Sequence, residues 1–579
     1  MDAGGTIDEA DAATLIMRAE TCLADQDCAT AYSLYQTALA LLRREQPDSQ
    51  AVVRALVGLG WTAQGLDDCR AALELHQTAL AEQMRIAPEM QSAICTIHRG
   101  IAASLAALGR FKPAQEQYRT VLRMQRALLD GQDPELAATL NVLGETAARL
   151  GHYAEAHACQ QEALDILRAN HPPGAPELAA ALTNLGVSLY RLDRQQAAEQ
   201  HLREALAIDP DLLLAAENLI YVLYQQGRKA EGRSLAAQKY RRQSFVVQPP
   251  PAHSVGTLLV LWSLDGNIPN HHLLGRLPMT VIDWHIQYAN AEHERQLPAY
   301  DLAFNLIGDA DQGAAALESA AAFQRRCPVA LLNDPVQVQH TRRHMIPGLL
   351  AGIEDLVIPR VAQFPGAALR KPRRDGSLAA AGITLPLLLR TAGMHGGESV
   401  QRLRTEEALD QACAPLQDDD AVYVTAYHEY ASPDGFHRKY RMIFVDREPY
   451  PYHLAISPDW LVHYFSADME AHPWKLEEEL RYLEDAPRVL GPRAMAVLRA
   501  IGARMDLDYC GADFALLPDG RVLLFECNAT MLVHPEDAGG VLARKNPHVE
   551  RIFSAFDVLV RHSLPAGGQR PDQCGGTAM

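Results

Sequence analysis

The feature that most constrains this chain is a repeat of roughly 40 residues that occupies its first 245 positions. Glycines recur in similar helical contexts with gaps of 40, 44 and 42 residues, at Gly60, Gly100, Gly144 and Gly186. The spacing then shortens, because Asn184 and Asn218 stand in matching contexts 34 residues apart. A single helix pair cannot bury its apolar face, so neighbouring units must stack, and the pattern predicts an all-α solenoid.

Each unit contains two amphipathic helices, since apolar and small residues fall at i, i+3, i+4 and i+7 in stretches such as YAEAHACQQEALDIL (153–167). Helix-stopping stretches such as GQDPE and HPPGAPE separate the units. A non-repeating bundle is the alternative, and the near-constant period disfavours it. The units resemble tetratricopeptide repeats, about six helix pairs over 1–245. That resemblance implies a groove that docks a protein or a peptide.

Composition excludes several classes of function. The net charge of −18 is spread along the chain without a basic run, so a nucleic-acid partner is not expected. The ten cysteines form no C-x-x-C pair, which favours a reducing, cytoplasmic location over a zinc ribbon or a disulfide scaffold. The start, MDAGGTIDEADAATL, is not a signal peptide, and no apolar stretch is long enough to predict a membrane span.

A proline-rich stretch ends the helical period and predicts a linker at 246–254, after which the pattern of apolar residues changes. Short apolar runs then alternate with helix-like stretches, as in GTLLVLWSL, TVIDWH, DLAFNLIG and CPVALLN. This alternation predicts a parallel α/β layer, followed by further strands beyond about residue 355. The tail 566–579 is rich in glycine, proline and polar residues, which predicts disorder.

A hairpin near the end, GADFALLPDGRVLLFECN (511–528), places polar residues on an otherwise apolar strand. Glu526 and Asn528 point to one face because side chains alternate along a strand. Asp513 joins them if the loop length or a bulge sets the right phase. Such oxygen ligands suit Mg²⁺, which takes its other ligands from phosphates and water. The alternative is an exposed edge strand with a polar face.

Two further segments carry groups that suit phosphate. In LPLLLRTAGMHGGES (385–399), an apolar strand delivers Arg390 and then three glycines whose backbone can close over phosphates, Gly393, Gly396 and Gly397. The alternative for these glycines is an ordinary flexible loop. In a later strand, Lys439 and Arg441 point to one face, and Arg441 offers a planar fork to phosphate or carboxylate. The alternative for this pair is a solvated basic edge.

In this order and spacing, the three segments resemble the ATP-grasp superfamily, and among its members the carboxylate–amine ligases related to glutathione synthetase and the ribosomal-protein glutamate ligases. The stretch VALLNDPVQVQHTRRHMIPGLLAGIEDLVIPRV (329–361) adds a similar strand, Asn-Asp-Pro turn and helix. The resemblance implies a multidomain chain: the all-α repeat solenoid, an α/β pre-ATP-grasp domain at 255–335 and an α+β ATP-grasp domain at 336–565.

The resemblance also implies roles for individual residues. The magnesium ligands would be Asp513, Glu526 and Asn528, holding two Mg²⁺ ions, or Mn²⁺ in their place. Contacts to ATP would come from Arg343, Arg390, Gly393, Gly396, Gly397, Glu429, Tyr430 and Lys439, and Arg390 and Arg441 would stabilise the transferred phosphate. Arg343 and Arg390 depart from the lysines usual in the family, and Lys439 stands where an acidic residue is common.

The implied function is an ADP-forming ligase that joins a small-molecule or peptide carboxylate to an amine through an acyl phosphate. Its repeats would recruit a protein or peptide substrate. Two alternatives stay open: a phosphotransferase on the same scaffold, and an interaction protein that binds nucleotide without turnover. We expect 392–399 to form a lid that Mg-ATP orders. His453 and His463 fall near the expected substrate side, although a lone histidine is more often structural.

Overall fold

The computed structural model describes residues 11–248, 250–251, 253–269, 271–370, 373–392, 400–537 and 539–565. The chain divides into two units, Met1–Lys239 and Tyr240–Met579, and we describe each by itself. The predicted phosphate glycines Gly393, Gly396 and Gly397, with most of the predicted lid, lie outside the described residues. So does the tail 566–579, for which disorder stays a prediction.

Consecutive helix pairs form the first unit, and each helix packs mainly against its neighbours in sequence, as expected of a solenoid. Within the described residues none of the helices combines the length and the hydropathy that a membrane crossing requires. The helices are α1 (Ala12–Ala24), α2 (Cys28–Glu45), α3 (Gln50–Gly65), α4 (Cys69–Ile86), α5 (Gln91–Ala107), α6 (Phe111–Leu128), α7 (Pro134–Arg149), α8 (Tyr153–Asn170), α9 (Pro176–Arg191), α10 (Gln195–Ile208), α11 (Leu213–Gln225) and α12 (Lys229–Tyr240).

Glycines of the repeat mark the places where the two helices of a pair approach closely. A Cβ added to Gly144 on α7 would lie 2.9 Å from Cγ of Gln160 on α8. A Cβ added to Gly186 on α9 would lie 2.8 Å from Cγ of Leu202 on α10. Both distances are shorter than a real Cβ contact, so a larger residue would push the helices apart. The recurring glycine therefore reflects helix packing and carries no chemistry of its own.

The sequence alignment placed Gly100 two residues out of register. Gly100 on α5 lies against His76 of the preceding pair, as Gly58 lies against Tyr35 of its preceding pair. The residue that corresponds to Gly60 is therefore the buried Ala102. Positions 60, 102, 144 and 186 are then spaced by a constant 42 residues, which removes the unequal gaps of 40 and 44. Glycine is needed both where a helix contacts its own partner and where it contacts the preceding pair, and the sequence alone does not distinguish these two contacts.

His76 is buried where successive pairs meet. Its ring fits between Gly60 and Gly100, where an added Cβ would come within 2.4 and 2.5 Å of its Cε1 atom. The ring also lies edge-on to Trp61, with the centroids 5.1 Å apart. Neither ring nitrogen has a hydrogen-bond partner among the described residues. Burial lowers the pKa of His76 to about 4, so the imidazole is neutral at physiological pH.

The described residues of the second unit form three sheets. Their strands are β1 (Phe245–Val247), β2 (Thr257–Trp262), β3 (Thr280–His285), β4 (Leu302–Asn305), β5 (Leu331–Leu332), β6 (Leu356–Val357), β7 (Val361–Pro365), β8 (Leu387–Thr391), β9 (Gln401–Leu403), β10 (Ala421–Ala426), β11 (His437–Val445), β12 (Glu448–Ser457), β13 (Tyr509–Leu516) and β14 (Val522–Asn528). Its helices are α13 (His271–Leu274), α14 (Ala291–Gln296), α15 (Ala314–Gln324), α16 (Pro335–Gln339), α17 (Ile346–Leu349), α18 (Arg373–Ala381), α19 (Glu406–Cys413), α20 (Pro473–Glu484), α21 (Ala486–Met505) and α22 (Asn546–Ser563).

The first sheet has the order β1-β3-β2-β4-β5, and β2 to β5 are parallel. The four short apolar runs supply these parallel strands, as predicted. The edge strand β1 pairs antiparallel with β3 through Phe245–Val247. Residues 246 and 247 therefore belong to the sheet rather than to the predicted linker at 246–254. Burial falls from the buried Phe245 to the exposed Val247, and three residues beside a proline-rich stretch are too few to show the period of a strand.

The second sheet, β7-β10-β8-β9, is antiparallel and has its own small apolar core. The third sheet, β12-β11-β13-β14-β6, is antiparallel except for the parallel β14–β6 pair. Buried residues of the first and third sheets belong to one continuous core. The hairpin of β13 and β14 turns at Gly520, whose φ of 83° favours glycine. A bulge after Asp513 shifts the register so that Asp513 lies opposite Glu526.

We expect the stability of the protein to depend on pH through His76. The folded-state pKa of about 4 lies below the ordinary value, so the unfolded chain binds a proton first as the pH falls. Stability is therefore complete above about pH 6.5 and is lost as the pH falls toward 4. Replacing His76 with phenylalanine keeps a flat ring and removes the titration. Between pH 7 and pH 5 the variant should lose about 2 kcal/mol less stability than the wild type.

The measurement is urea unfolding followed by circular dichroism at both pH values. Burial also lowers the pKa of His285 in the second unit to about 4, so His285→Phe should reduce the pH dependence of that unit and leave the pH dependence of the helical first unit unchanged. Identical pH dependence in the wild type and in His76→Phe would contradict the account of His76.

Candidate functional site

Titratable side chains follow one another across the third sheet. His453 on β12 pairs with Arg441 on β11, and Arg441 pairs with Asp513 on β13. Asp513 in turn pairs with Glu526 on β14. Directly paired residues project from the same face of a sheet, so these four side chains form one row. The row brings three of the predicted site residues together and adds His453 to them.

Asp513 is the most strongly held member of the row. Its two carboxylate oxygens accept hydrogen bonds of 2.6 Å from Nε and 2.9 Å from Nη2 of Arg441. Nζ of Lys439 lies 3.2 Å from one of these oxygens. Burial alone would raise the pKa of Asp513, but Arg441 and Lys439 outweigh it and hold that pKa well below its usual range. The carboxylate is therefore charged throughout the physiological pH range.

Glu526 is bound by a second set of groups. Nη2 of Arg343 lies 3.2 Å from its Oε2 atom, and the amide of Asn528 donates a 2.6 Å hydrogen bond to Oε1. Arg343 also donates to the carbonyl of Phe525, which fixes its guanidinium along the strand. Burial and Asp513 would raise the pKa of Glu526, but the charges of Arg343, Arg390 and Arg441 together lower it by a larger amount. Glu526 is therefore an ionised carboxylate that several guanidinium groups stabilise.

Arg390 reaches this face from the second sheet, where it stands on β8. Burial and the neighbouring Arg343 lower the pKa of Arg390, and Glu526, Asp309 and Asp311 act in the opposite direction. Four cations thus surround two ionised carboxylates, Asp513 and Glu526; we call the four the cation cluster: Arg343, Arg390, Lys439 and Arg441. These cations come from three separate parts of the unit. An anion with several oxygen atoms fits such a cluster.

The predicted magnesium ligands are adjacent but differ in their geometry. Asp513 and Glu526 lie side by side on one face, which fits a metal that needs few protein ligands. The amide oxygen of Asn528 instead accepts hydrogen bonds from the backbone and the hydroxyl of Thr530. Among the described residues, no three His, Cys, Asp or Glu side chains converge as a protein-only metal site requires. The magnesium site therefore stays a prediction that rests on the two carboxylates.

The two predicted adenine contacts differ in their exposure. The carboxylate of Glu429 is exposed and accepts hydrogen bonds from the backbone N–H groups of Tyr430 and Ala431. The Tyr430 ring is buried, its hydroxyl donates a 2.5 Å hydrogen bond to the carbonyl of Trp460, and it packs edge-on against Phe525. The Tyr430 side chain is therefore part of the core, and its backbone N–H is already bound to Glu429.

An aromatic group beside Glu429 escaped the sequence analysis. The Arg402 guanidinium lies 4.9 Å from the ring centroid of Tyr427 and 4.7 Å from that of Trp460. Tyr427 also donates a hydrogen bond to Glu429. These residues are separated by up to 58 positions, so no local motif identifies them. Stacked planar groups of this kind can hold another flat ring.

Two acidic residues at the end of β4 also escaped the sequence analysis. Asp309 and Asp311 follow a buried parallel strand in DLAFNLIGDAD, and ligands of open α/β sheets bind beyond the carboxyl ends of such strands. Their position after a buried parallel strand could have identified these two residues from the sequence. Asp311 accepts a 2.8 Å hydrogen bond from Tyr423 on β10, so the second sheet and the first sheet are joined beside Arg390.

Comparison with known proteins identifies the first part of the chain. Tetratricopeptide repeat family models match residues 11–81, 93–169 and 179–212. Similar solved structures include BtubC (BKLC) from P. vanneervenii, which is 19% identical with a TM-score of 0.32 over 40% of this chain and 91% of that chain. A tetratricopeptide repeat protein from Parabacteroides merdae ATCC 43184 is 16% identical with a TM-score of 0.31 over 39% and 78%.

YrrB, a TPR protein with an unusual peptide-binding site, is 21% identical with a TM-score of 0.27 over 36% of this chain and 91% of its own. The comparison with curated protein sequences finds no match. The family matches and the stacked helix pairs agree in position along the first unit. Residues 11–212 are therefore tetratricopeptide repeats, which indicates that this chain interacts with a protein or a peptide.

Proposed function

We propose that the second unit is an ATP-grasp carboxylate–amine ligase and that the repeats bring it a protein or peptide substrate. The observation that carries this proposal is the cation cluster around Asp513 and Glu526. A ligase of this type transfers the γ-phosphate of ATP to a carboxylate and needs charge stabilisation more than it needs a strong base. The matched tetratricopeptide models end at residue 212, so the ligase proposal rests on motifs and geometry of residues 255–560.

The cluster suits phosphate because its donors are already assembled. Arg441 offers two N–H groups in a fork, which now bind both oxygens of Asp513. A phosphate group accepts the same fork. We infer that ATP would take over donors of Arg441 and Arg343 and leave oxygens of Asp513 and Glu526 for Mg²⁺. The metal would neutralise charge on the phosphates.

The origin of the four cations supports a site that closes on its ligand. Arg390 stands on the second sheet, which has a core of its own, whereas Lys439 and Arg441 stand on the third sheet. A nucleotide between these sheets would bind both and hold them together. The predicted lid at 392–399 begins two residues after Arg390, and all but its first residue lie outside the described part of the chain.

The arginines at 343 and 390 suit this proposal, although lysine is usual in the resembled family. Arginine stays charged even though burial and Arg343 lower the pKa of Arg390. A buried lysine would lose its proton more readily under the same conditions. Two guanidinium groups side by side are therefore compatible with a site that must remain cationic at neutral pH.

The products of ATP should identify the reaction. We expect purified protein with Mg-ATP, hydroxylamine as the amine and the twenty common amino acids as donors to release ADP and phosphate in equal amounts. A hydroxamate should form in the same quantity, because hydroxylamine captures an acyl phosphate. The measurement is phosphorus NMR together with mass spectrometry of the products. ADP with a phosphorylated donor would indicate a phosphotransferase, and bound Mg-ATP without any ADP would contradict catalysis.

Glu526→Gln should reduce ADP release by about 100-fold or more, because the variant loses the charge between Arg343 and Arg390. The matched control is Glu478→Gln. Glu478 pairs with Arg438 at 2.6 Å, and Arg438 alternates with Lys439 and so projects from the opposite face of β11. The control should change ADP release less than about threefold. Undiminished turnover by a folded Glu526→Gln protein, checked by circular dichroism, would remove Glu526 from the site.

A further inference from the structure

His453 extends the row of the candidate site on the side away from Glu526. It lies directly opposite Arg441 in the β11–β12 pairing, so its imidazole shares the face that carries Asp513 and Glu526. Its ring is stacked on Tyr464, with the centroids 4.8 Å apart and the planes 22° from parallel. This stacking fixes the orientation of the imidazole beside the arginine that we assign to the transferred phosphate.

The Nε2 atom of His453 is buried and has no hydrogen-bond partner among the described residues. The whole residue is only 6% exposed. A buried polar atom without a partner is unfavourable, and His453 differs from His76, which also lacks partners, because it lies in the row of the candidate site. A substrate atom would supply the missing partner. His548 also has a buried ring nitrogen without a partner among the described residues, Nδ1, but it stands on α22 and not in this row.

We propose that Nε2 of His453 accepts the proton of the amine that captures the acyl phosphate. The inference rests on the proposed ligase function. In this step the amine nitrogen forms a bond to the carbonyl carbon, and the bond from that carbon to the phosphate oxygen breaks. The phosphate leaves with the electron pair, and the surplus N–H proton passes to Nε2 and then to water or phosphate.

The surroundings keep this imidazole in the form that accepts a proton. Burial contributes most to lowering the pKa of His453, and Arg441, Lys545 and Lys439 lower it further. Asp513 acts in the opposite direction but is already bound by Arg441 and Lys439. The imidazole is thus neutral at physiological pH. The same cations weaken the imidazole as a base and disfavour a retained proton, so the ring passes the proton on to phosphate or water and does not hold it.

Loss of His453 should slow the capture of the acyl phosphate by the amine but not the formation of the acyl phosphate. In full-length His453→Gln we expect the first turnover of ADP to stay within about threefold of the wild type in quenched-flow experiments. Formation of hydroxamate from hydroxylamine should fall by about 100-fold. The ratio of wild-type to variant capture rates should shrink as the pH rises from 6 to 9, because hydroxide replaces the missing base. The variant His548→Gln is the control for loss of a buried histidine and should match the wild type.

A readout without turnover is the imidazole ¹⁵N spectrum, in which the His453 signals are those lost in His453→Gln. We expect them to remain those of a neutral ring from pH 8 to pH 6. Signals of a protonated ring at pH 8 would overturn the proposal, because a ring that already carries the proton cannot accept one. Two further outcomes would overturn it. One is an equal loss of rate in acyl phosphate formation and in amine capture, and the other is an unchanged capture rate in His453→Gln while the wild type releases ADP. A wild-type protein that never releases ADP would overturn the ligase function itself, and this proposal with it.

Discussion

The ion pair between Arg441 and Asp513 is the interaction on which the candidate site depends. Both groups lie within the third sheet, where an ionised side chain loses much of its hydration. Two hydrogen bonds in a fork, with Lys439 as a further partner, offset that loss. Removal of either member would leave a buried charge without its partner, at a cost of about 3–5 kcal/mol. The pair also holds β11 and β13 in the register that aligns His453, Arg441 and Glu526.

The candidate site is assembled only in the folded protein, because its charged groups come from segments that are distant in sequence. The cation cluster draws Arg343 from the segment after α16, Arg390 from the second sheet, and Lys439 and Arg441 from the third. The like charges of the cluster repel one another, and Asp513 and Glu526 offset part of that repulsion. In our proposal the cluster binds the phosphates of ATP.

The architecture of the solenoid depends on contacts between residues that are close in sequence. Its contacts join neighbours in sequence, so the period of the repeat and the identity of its small residues predict most of the architecture. Even so, the misplacement of Gly100 arose because one helix contacts both its own partner and the preceding pair. Glycine satisfies either contact, and only the packing of His76 between Gly60 and Gly100 distinguishes them.

The sequence by itself determined the repeats, the parallel strands and the polar faces of β11 and β14, because alternation and periodicity are local properties of the chain. The tertiary structure decided strand register, strand pairing and burial, which local patterns do not determine. A bulge after Asp513 set the phase that placed this residue opposite Glu526. Strand pairing brought His453 beside Arg441, and packing buried the Tyr430 ring that the sequence assigned to a nucleotide. Register and burial depend on partners distant in sequence, so the fold alone fixed them.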